Sequence, residues 1–186
     1  MSKPIVSKSL IVIDGQQPGL CAADVISLLC RRLEAEGYVG PGYEKAVLDR
    51  EMRFPTALPT RPYATAIPHA DPLDVRETGV AVAILDHAVA FRAMENPEES
   101  LPVRAVLLMA VTHSSQQVPA LQWVCEVLNR QDVVMQLVSA CTPSEAMAVL
   151  APLLEGRGTP DHGRSVDKPQ TCAGPHGQRS SEEAER

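Results

Sequence analysis

His69 is the residue whose surroundings in the sequence most favour chemistry, and it lies in the segment Ala66-Ile67-Pro68-His69-Ala70-Asp71. Pro68 fixes its own φ and restricts Ile67 to an extended conformation, so a short strand is expected to end there and to hold His69 at its carboxyl end. Ligands bind at that edge of α/β sheets. A neutral imidazole is a nucleophile near pH 7, since its unperturbed pKa is about 6.5. His69 is therefore a candidate for a covalent intermediate, although a structural or surface histidine would give the same pattern.

An arginine and a glutamate precede this histidine in the segment Arg50-Glu51-Met52-Arg53-Phe54-Pro55-Thr56. Phosphoryl transfer to His69 would need cationic or hydrogen-bonding groups around the equatorial oxygens of the transferred group. Arg50, with its planar fork of donors, is the better candidate of the nearby arginines. A solvated helix end would explain the Arg50-Glu51 pair as well.

A second anion-binding candidate is the segment Thr112-His113-Ser114-Ser115-Gln116-Gln117-Val118-Pro119, which follows an apolar run and begins a predicted helix. Ser114 and Gln117 fit a capping box, and the free backbone N–H groups of such a helix start can bind an anion. A plain helix cap needs only the same residues, so both interpretations stay open for this segment.

Other site chemistries lack their signatures in this sequence. The histidines at 69, 87 and 113 and Asp71 could ligate a metal, but no two histidines have a ligand spacing such as HxxxH and none neighbours a cysteine. GxGxxG, GxxxxGK[ST] and GxSxG motifs are missing as well. The sequence therefore predicts neither a metal nor a cofactor. A metal-dependent hydrolase that uses His69 and Asp71 is the alternative from another class, and bound zinc or manganese would reveal it.

Two helices are predicted before the histidine. Apolar residues recur at helical spacing in a helix over about 22–36, which ends near Gly37. A second, shorter helix begins around Tyr43 and carries Arg50 and Glu51 at its end, before a proline at position 55 forces the backbone out of helical conformation. The charged pair is thus predicted at a junction between helix and loop.

Strands are predicted at 64–67, 79–85 and 104–111, and the two longer runs are apolar without polar alternation. Such strands are buried on both faces of a sheet. Two further helices follow, around 118–128 and 133–138. Helices before, between and after buried strands predict an α/β sandwich with a mixed β-sheet flanked by helices.

The last helix has a clear start in the segment Thr142-Pro143-Ser144-Glu145. Thr142 can cap the helix, Pro143 suits the first helical position, and Glu145 completes a capping box. Beyond this helix the composition changes: residues 158–186 contain Val166 as their only Val, Ile, Leu or Met. The predicted domain therefore spans residues 1–157, and 158–186 is predicted to be a disordered tail.

Composition narrows the class of protein. The chain has 186 residues, 45% of them hydrophobic, and a formal net charge of −6, which argues against binding to nucleic acid or to anionic lipid. No stretch is long and apolar enough for insertion in a membrane, and the first residues lack the features of a signal peptide, so the sequence predicts a cytoplasmic protein. The five cysteines form no CxxC pair: Cys21, Cys30, Cys125, Cys141 and Cys172. The first four have apolar surroundings, which predicts that they are reduced core thiols.

The pattern RExxFPTxL at 50–58, followed by AIPH at 66–69, resembles the phosphorylation site of enzyme IIA of the fructose and mannitol family of the bacterial sugar phosphotransferase system. The resemblance covers the whole predicted domain. The strand at 106–111, the Gln116-Gln117 pair and the helix that follows are similar to the elements that close this family's active site. Phe54-Pro55-Thr56 and the glutamine pair are most similar to the galactitol-type subgroup.

The resemblance implies a compact mixed-sheet fold and a two-step relay without metal or cofactor. His69 would take a phosphoryl group from the phosphohistidine of HPr and pass it to a cysteine of enzyme IIB, which phosphorylates a sugar or sugar alcohol as the membrane enzyme IIC transports it. Arg50 would stabilise the phosphoryl group. Gln117 matches the position where mannitol-type members carry a second active-site histidine; a glutamine can donate a hydrogen bond there but cannot change its charge.

A regulatory protein on the same scaffold, as in the nitrogen-related branch of the family, is the alternative function, because its phosphorylated histidine would look nearly the same. The two differ in partner, since a transport component needs an enzyme IIB acceptor. In either case partners dock over His69, so we expect an apolar surface there that includes Phe54 and Leu58, with an acidic rim that attracts a basic carrier.

Overall fold

The computed structural model describes residues 6–14, 19–72 and 74–155. The predicted tail at 158–186 lies outside the described residues, so the domain boundary stays a prediction. In chain order the elements are a 3-10 turn at Lys8–Leu10, β1 (Ile11–Asp14), α1 (Ala22–Ala35), α2 (Tyr43–Arg53), β2 (Ala57–Leu58), β3 (Ala64–Ala66), β4 (Gly79–Arg92), β5 (Ser100–Ala110), α3 (Ser114–Asn129), α4 (Gln131–Val138) and α5 (Pro143–Glu155).

These strands form one five-stranded mixed sheet in the order β1-β4-β5-β3-β2. β4 and β5 are an antiparallel pair at its centre, β1 and β3 lie parallel to their inner neighbours, and β2 closes the edge antiparallel to β3. One face of β4 packs against α3, α4 and α5 through Val80, Val82 and Ile84, and the opposite face packs against α1 and α2. The predicted sandwich of helices on a mixed sheet is confirmed.

The central strands are longer than predicted. β4 continues past residue 85 because its register with β5 shifts between Ile84 and Val89, where an exposed stretch at 86–88 interrupts the apolar run. Val89 and Phe91 then return to the core. β1 and β2, which were not predicted, are short strands at the two edges of the sheet.

The two predicted capping boxes differ in outcome. The Thr142 hydroxyl accepts the N–H of Glu145 at 3.2 Å, as predicted, but the Glu145 carboxylate accepts the N–H of Cys141 at 2.8 Å in place of that of Thr142. The capping box of Ser114 with Gln117 is wrong. α3 already includes Ser114, because the extended residue before the helix is His113, which makes no side-chain cap.

The cysteines correct the expectation of reduced core thiols. Cys30 is a buried free thiol, as predicted. Cys21 is exposed because it is the residue that caps the start of α1, and Cys125 is exposed because its neighbour Val124 takes the core face of α3. Cys141, in the exposed turn before α5, is disulfide-bonded. Among the described residues, no helix is long and apolar enough to cross a membrane.

The turn that leads into α2 is tied to the loop that follows His69. The N–H of Gly40 donates to the Asp74 carbonyl at 2.8 Å, and the N–H of Gly42 donates to the Asp74 carboxylate at 3.0 Å. Asp74 has a φ of 59°, in the left-handed region that aspartate tolerates better than most residues. A Cβ at residue 40 would overlap the Asp74 carboxylate, so this close approach requires glycine.

Gly40→Ala is expected to lower the free energy of unfolding by about 1–3 kcal/mol, because the added methyl displaces the Asp74 carboxylate and breaks its bond to Gly42. Denaturant titration measures the change. Gly42→Ala is the matched control, since its Cβ would lie at an ordinary 3.4 Å from Asp74. A Gly40→Ala protein no less stable than the control would contradict this account of the turn.

Candidate active site

His69 lies where the carboxyl ends of β3 and β5 meet. β3 runs parallel to β5 and ends at Ala66, and His69 then makes a further parallel bridge to Met109 near the end of β5. The N–H of Met109 donates to the Pro68 carbonyl at 3.0 Å, which holds the peptide before the histidine against the sheet. The predicted position of His69 at the carboxyl edge is confirmed.

The two ring nitrogens of His69 are not equivalent. Nδ1 lies 2.8 Å from the carbonyl oxygen of Ile67. A carbonyl oxygen can only accept a hydrogen bond, so Nδ1 carries the proton that this bond requires, and the neutral ring has its lone pair on Nε2. Any nucleophilic chemistry of this ring would therefore use Nε2.

Burial keeps this ring neutral. The half-buried position of His69 lowers its pKa from the ordinary value of 6.5 because desolvation disfavours the imidazolium, and the nearby positive charge of Arg50 lowers it further. The hydrogen bond to Ile67 and the negative charge of Asp71 act in the opposite direction without reversing the shift. The neutral, nucleophilic form of His69 thus persists to lower pH than that of an unperturbed histidine.

Arg50 supplies the positive charge beside this nucleophile. It lies in the last turn of α2, and its Nη1 is buried with no hydrogen-bond partner among the described residues. A buried guanidinium nitrogen without a partner is uncommon, and it is a donor available to an anion. Arg50 lines an open cleft of about 670 Å³ together with Ala70 and Asp71, the two residues that follow the histidine.

Glu51 shows that the Arg50-Glu51 pair is not a solvated helix end. Its half-buried carboxylate accepts the Thr56 N–H at 3.0 Å and the Thr56 hydroxyl at 2.7 Å. Burial raises the pKa of Glu51, and the two bonds to Thr56 and the charges of Arg50 and Arg92 oppose that rise. The alternative of a solvated helix end is therefore wrong.

Tyr43 supports the site and was not among the residues that sequence reasoning singled out for it. Its buried hydroxyl donates to the Met109 carbonyl at 2.5 Å. Met109 is also the residue whose N–H donates to the Pro68 carbonyl. Burial raises the pKa of this hydroxyl. A signal existed in the sequence: Tyr43 precedes Arg50 by seven residues, which places both on one face of a helix.

Gln117 lies half-buried in the first turn of α3, a helix that starts shortly after β5 ends at the same edge of the sheet as His69. Its side chain makes no hydrogen bond to another of the described residues, so its role stays a prediction.

Within the described ranges, no three His, Cys, Asp or Glu side chains are placed to hold a metal ion. The alternative of a metal-dependent hydrolase that uses His69 and Asp71 therefore has no ligand set among these residues.

Comparison with known proteins identifies the family. Residues 5–152 match the family described as "Phosphoenolpyruvate-dependent sugar phosphotransferase system, EIIA 2". That match spans well over half of the chain. The chain belongs to this EIIA family.

Individual relatives are distant. The galactitol-specific EIIA component of Escherichia coli K12 is 23% identical over 117 residues, which cover 63% of this chain and 77% of the relative. The crystal structure of mannitol IIA from E. coli is 23% identical and superimposes with a TM-score of 0.64. The match covers 78% of this chain and 99% of the E. coli chain. The E. coli complex of mannitol IIA with phosphorylated IIB, 24% identical, covers 80% and 98% with a TM-score of 0.63. At these identities the solved structures show the EIIA fold alone.

The surface beside the EIIA histidine differs in part from the expectation. Phe54 is 63% exposed and lines the cleft, as a docking residue should, but Leu58 is half-buried against the core. The cleft contains more basic than acidic side chains, so its lining does not form the predicted acidic rim: Lys45, Arg50 and Arg53 against Asp49 and Asp71.

Removing the charge of Arg50 is expected to raise the pKa of His69 toward 6.5, because one of the two causes that lower it is lost. An NMR titration of the His69 ring in Arg50→Gln and in the parent protein measures this shift. Arg53→Gln, which changes an exposed arginine of the same cleft, is the control and should leave the pKa unchanged. An equal shift in both variants would contradict a specific effect of Arg50.

Proposed function

We propose that this EIIA protein is a cytoplasmic phosphocarrier that accepts a phosphoryl group on Nε2 of His69 from phospho-HPr. It passes the group to a cysteine of an enzyme IIB, which serves a membrane enzyme IIC in the uptake of a galactitol-like sugar or sugar alcohol. The observation that carries the proposal is a neutral histidine with one engaged nitrogen and one free, beside the unpartnered buried Nη1 of Arg50.

The first transfer uses the Nε2 lone pair of His69. It forms a bond to phosphorus while the bond from phosphorus to the HPr histidine breaks, and the departing HPr nitrogen keeps the electron pair. Nδ1 keeps its proton throughout and donates it in the hydrogen bond to the Ile67 carbonyl, so the phosphorylated ring is an imidazolium. A positively charged ring is a good leaving group, which keeps the intermediate reactive for the second step.

The second transfer reverses these changes. A cysteine thiolate of enzyme IIB attacks phosphorus, the bond to Nε2 breaks, and its electron pair returns to the ring of His69. The neutral Nδ1–H form is restored, and no proton has moved at this histidine. Chemistry of this kind needs positioning and charge stabilisation more than acid–base catalysis, which agrees with a site built from a ring and an arginine.

Arg50 and Gln117 are proposed to bind the phosphoryl oxygens. The transferred group brings a doubly charged anion, and the free donor of Arg50 is already desolvated, so its hydrogen bond costs little reorganisation. Gln117 and the backbone N–H groups at the start of α3 would donate from the other side. A neutral glutamine there makes this half of the site independent of pH.

Two exposed apolar side chains support a relay between protein partners. Phe54 and Val118 are 63% and 58% exposed, one at the end of α2 and one near the start of α3. Apolar side chains of this size are typical of the centre of a transient interface. A related protein, mannitol IIA of E. coli, has been solved in complex with phosphorylated IIB.

Phosphoenolpyruvate, enzyme I and HPr are expected to add one acid-labile phosphate to the purified chain, detected by intact mass. His69→Ala should take none. Arg50→Ala should slow labelling by about 10²-fold, the usual cost of one donor to developing charge, and Gln117→Ala by about 3- to 10-fold. His87→Ala, which changes an exposed histidine of β4, is the control and should label normally. Undiminished labelling of His69→Ala would overturn the proposal.

The regulatory alternative shares the first transfer and differs in the second. Labelled protein mixed with a galactitol-type enzyme IIB should lose its phosphate to the IIB cysteine, whereas a cysteine-to-serine IIB should leave it in place. Stable labelling in the presence of active IIB would favour the regulatory function over transport.

A further inference from the structure

Neighbouring residues of α2 face two different cavities. Arg50 lines the cleft beside His69, whereas Glu51 lines a separate groove of about 420 Å³ formed with α1 and β4. Glu51 therefore does not line the cleft that Arg50, Ala70 and Asp71 form. Whatever Glu51 contributes to the site must act through another residue.

A continuous set of hydrogen bonds links Glu51 to the nucleophile. Both carboxylate oxygens accept from Thr56, one from its N–H and one from its hydroxyl. The Thr56 carbonyl accepts the N–H of Ile67 at 3.3 Å, and the Ile67 carbonyl accepts Nδ1–H of His69 at 2.8 Å. Thr56 and Ile67 are 1% and 3% exposed, so water does not compete for these bonds.

The bonds to Thr56 also join the end of α2 to the residue just before β2. Thr56 immediately precedes β2, which pairs with β3 and so with the loop that carries His69. Glu51 immediately follows Arg50 in the last turn of α2. Arg92 of β4 adds a second tie by donating to the Met52 carbonyl. The end of α2 is thus fixed to the sheet from two sides.

We propose that Glu51 is a positioning residue: by holding both polar groups of Thr56, it fixes the helix that carries Arg50 to the strands that carry His69 and thereby sets the orientation of the His69 ring. Its effect on transfer rests on the proposed function, but its effect on the ring exists in the unphosphorylated protein. Loss of the carboxylate leaves the buried N–H and hydroxyl of Thr56 without partners, so the turn must rearrange to find others.

The test compares four variants of the full chain. Glu51→Ala removes both acceptors, and Thr56→Val removes one donor at constant shape. Glu51→Gln keeps an oxygen for the Thr56 N–H and offers an amide to its hydroxyl, so it should rescue. Glu44→Ala is the matched control, because it removes a glutamate of the same helix whose ion pair with Arg31, at 3.7 Å, lies away from the site.

Two readouts separate positioning from general stability. The ¹⁵N shifts of the His69 ring in unphosphorylated protein report which nitrogen carries the proton, and the rate at saturating phospho-HPr is measured apart from its KM. In Glu51→Ala we expect a mixture of ring tautomers and a maximal rate lower by about 10- to 100-fold with KM unchanged. Thr56→Val should show a smaller change in the same direction, and Glu51→Gln and Glu44→Ala should keep the parental ring shifts.

Parental ring shifts and a parental maximal rate in Glu51→Ala would overturn the proposal. If Glu51→Ala does not fold, Thr56→Val decides, and parental ring shifts in that variant would overturn it equally. Failure of the proposed function is distinguishable, because a parent protein that takes no phosphate from HPr still shows its tautomer in the ring shifts.

Discussion

The ring of His69 has one nitrogen engaged and one free because Nδ1 lies against the carbonyl oxygen of Ile67. This bond depends on the backbone: Pro68 turns the chain directly after β3, so the histidine folds back over the carbonyl two residues before it. The sheet then holds that carbonyl in place, since the Ile67 N–H continues the pairing of β2 with β3 through Thr56. A flexible loop could not keep one ring tautomer in this way. Because the proton is held on Nδ1, the proposed nucleophile is Nε2.

The charges of the site suit the proposed transfer of an anion. Arg50 is half-buried with Nη1 unsatisfied, a cost that native proteins avoid unless a partner is supplied at some stage of function. Its charge also helps to keep His69 neutral. In the proposed relay, the same residue would favour the nucleophile before transfer and the phosphoryl group after it. The negative charge of Asp71 partly opposes the effect of Arg50 on the pKa of His69. The arrangement suits a carrier, because tight pairing of Arg50 within the protein would leave nothing for the phosphate.

Much of the site could be predicted from sequence because its key residues are fixed by local rules. Pro68 and the apolar run before it place His69, and the helical period places Arg50 at the end of α2. The long-range contacts could not be predicted: the Tyr43 hydroxyl finds a carbonyl 66 residues away, and the Glu51 carboxylate finds Thr56 only because the turn between them folds back. The edge strands were also missed: β2 has two residues, too few for a hydropathy pattern, whereas the apolar run at 10–13 that forms most of β1 was not interpreted as a strand. The capping box at Ser114 failed because one residue of extended backbone decides where a helix starts.

In the proposed relay, His69 carries the phosphoryl group on Nε2 while Nδ1 stays hydrogen-bonded to the Ile67 carbonyl. The most direct test is ³¹P and ¹⁵N NMR of the phosphorylated protein with labelled histidine. We expect a single phosphohistidine whose phosphorus couples to Nε2, with a proton on Nδ1. Phosphorus coupled to Nδ1, or phosphate on any residue other than His69, would contradict it.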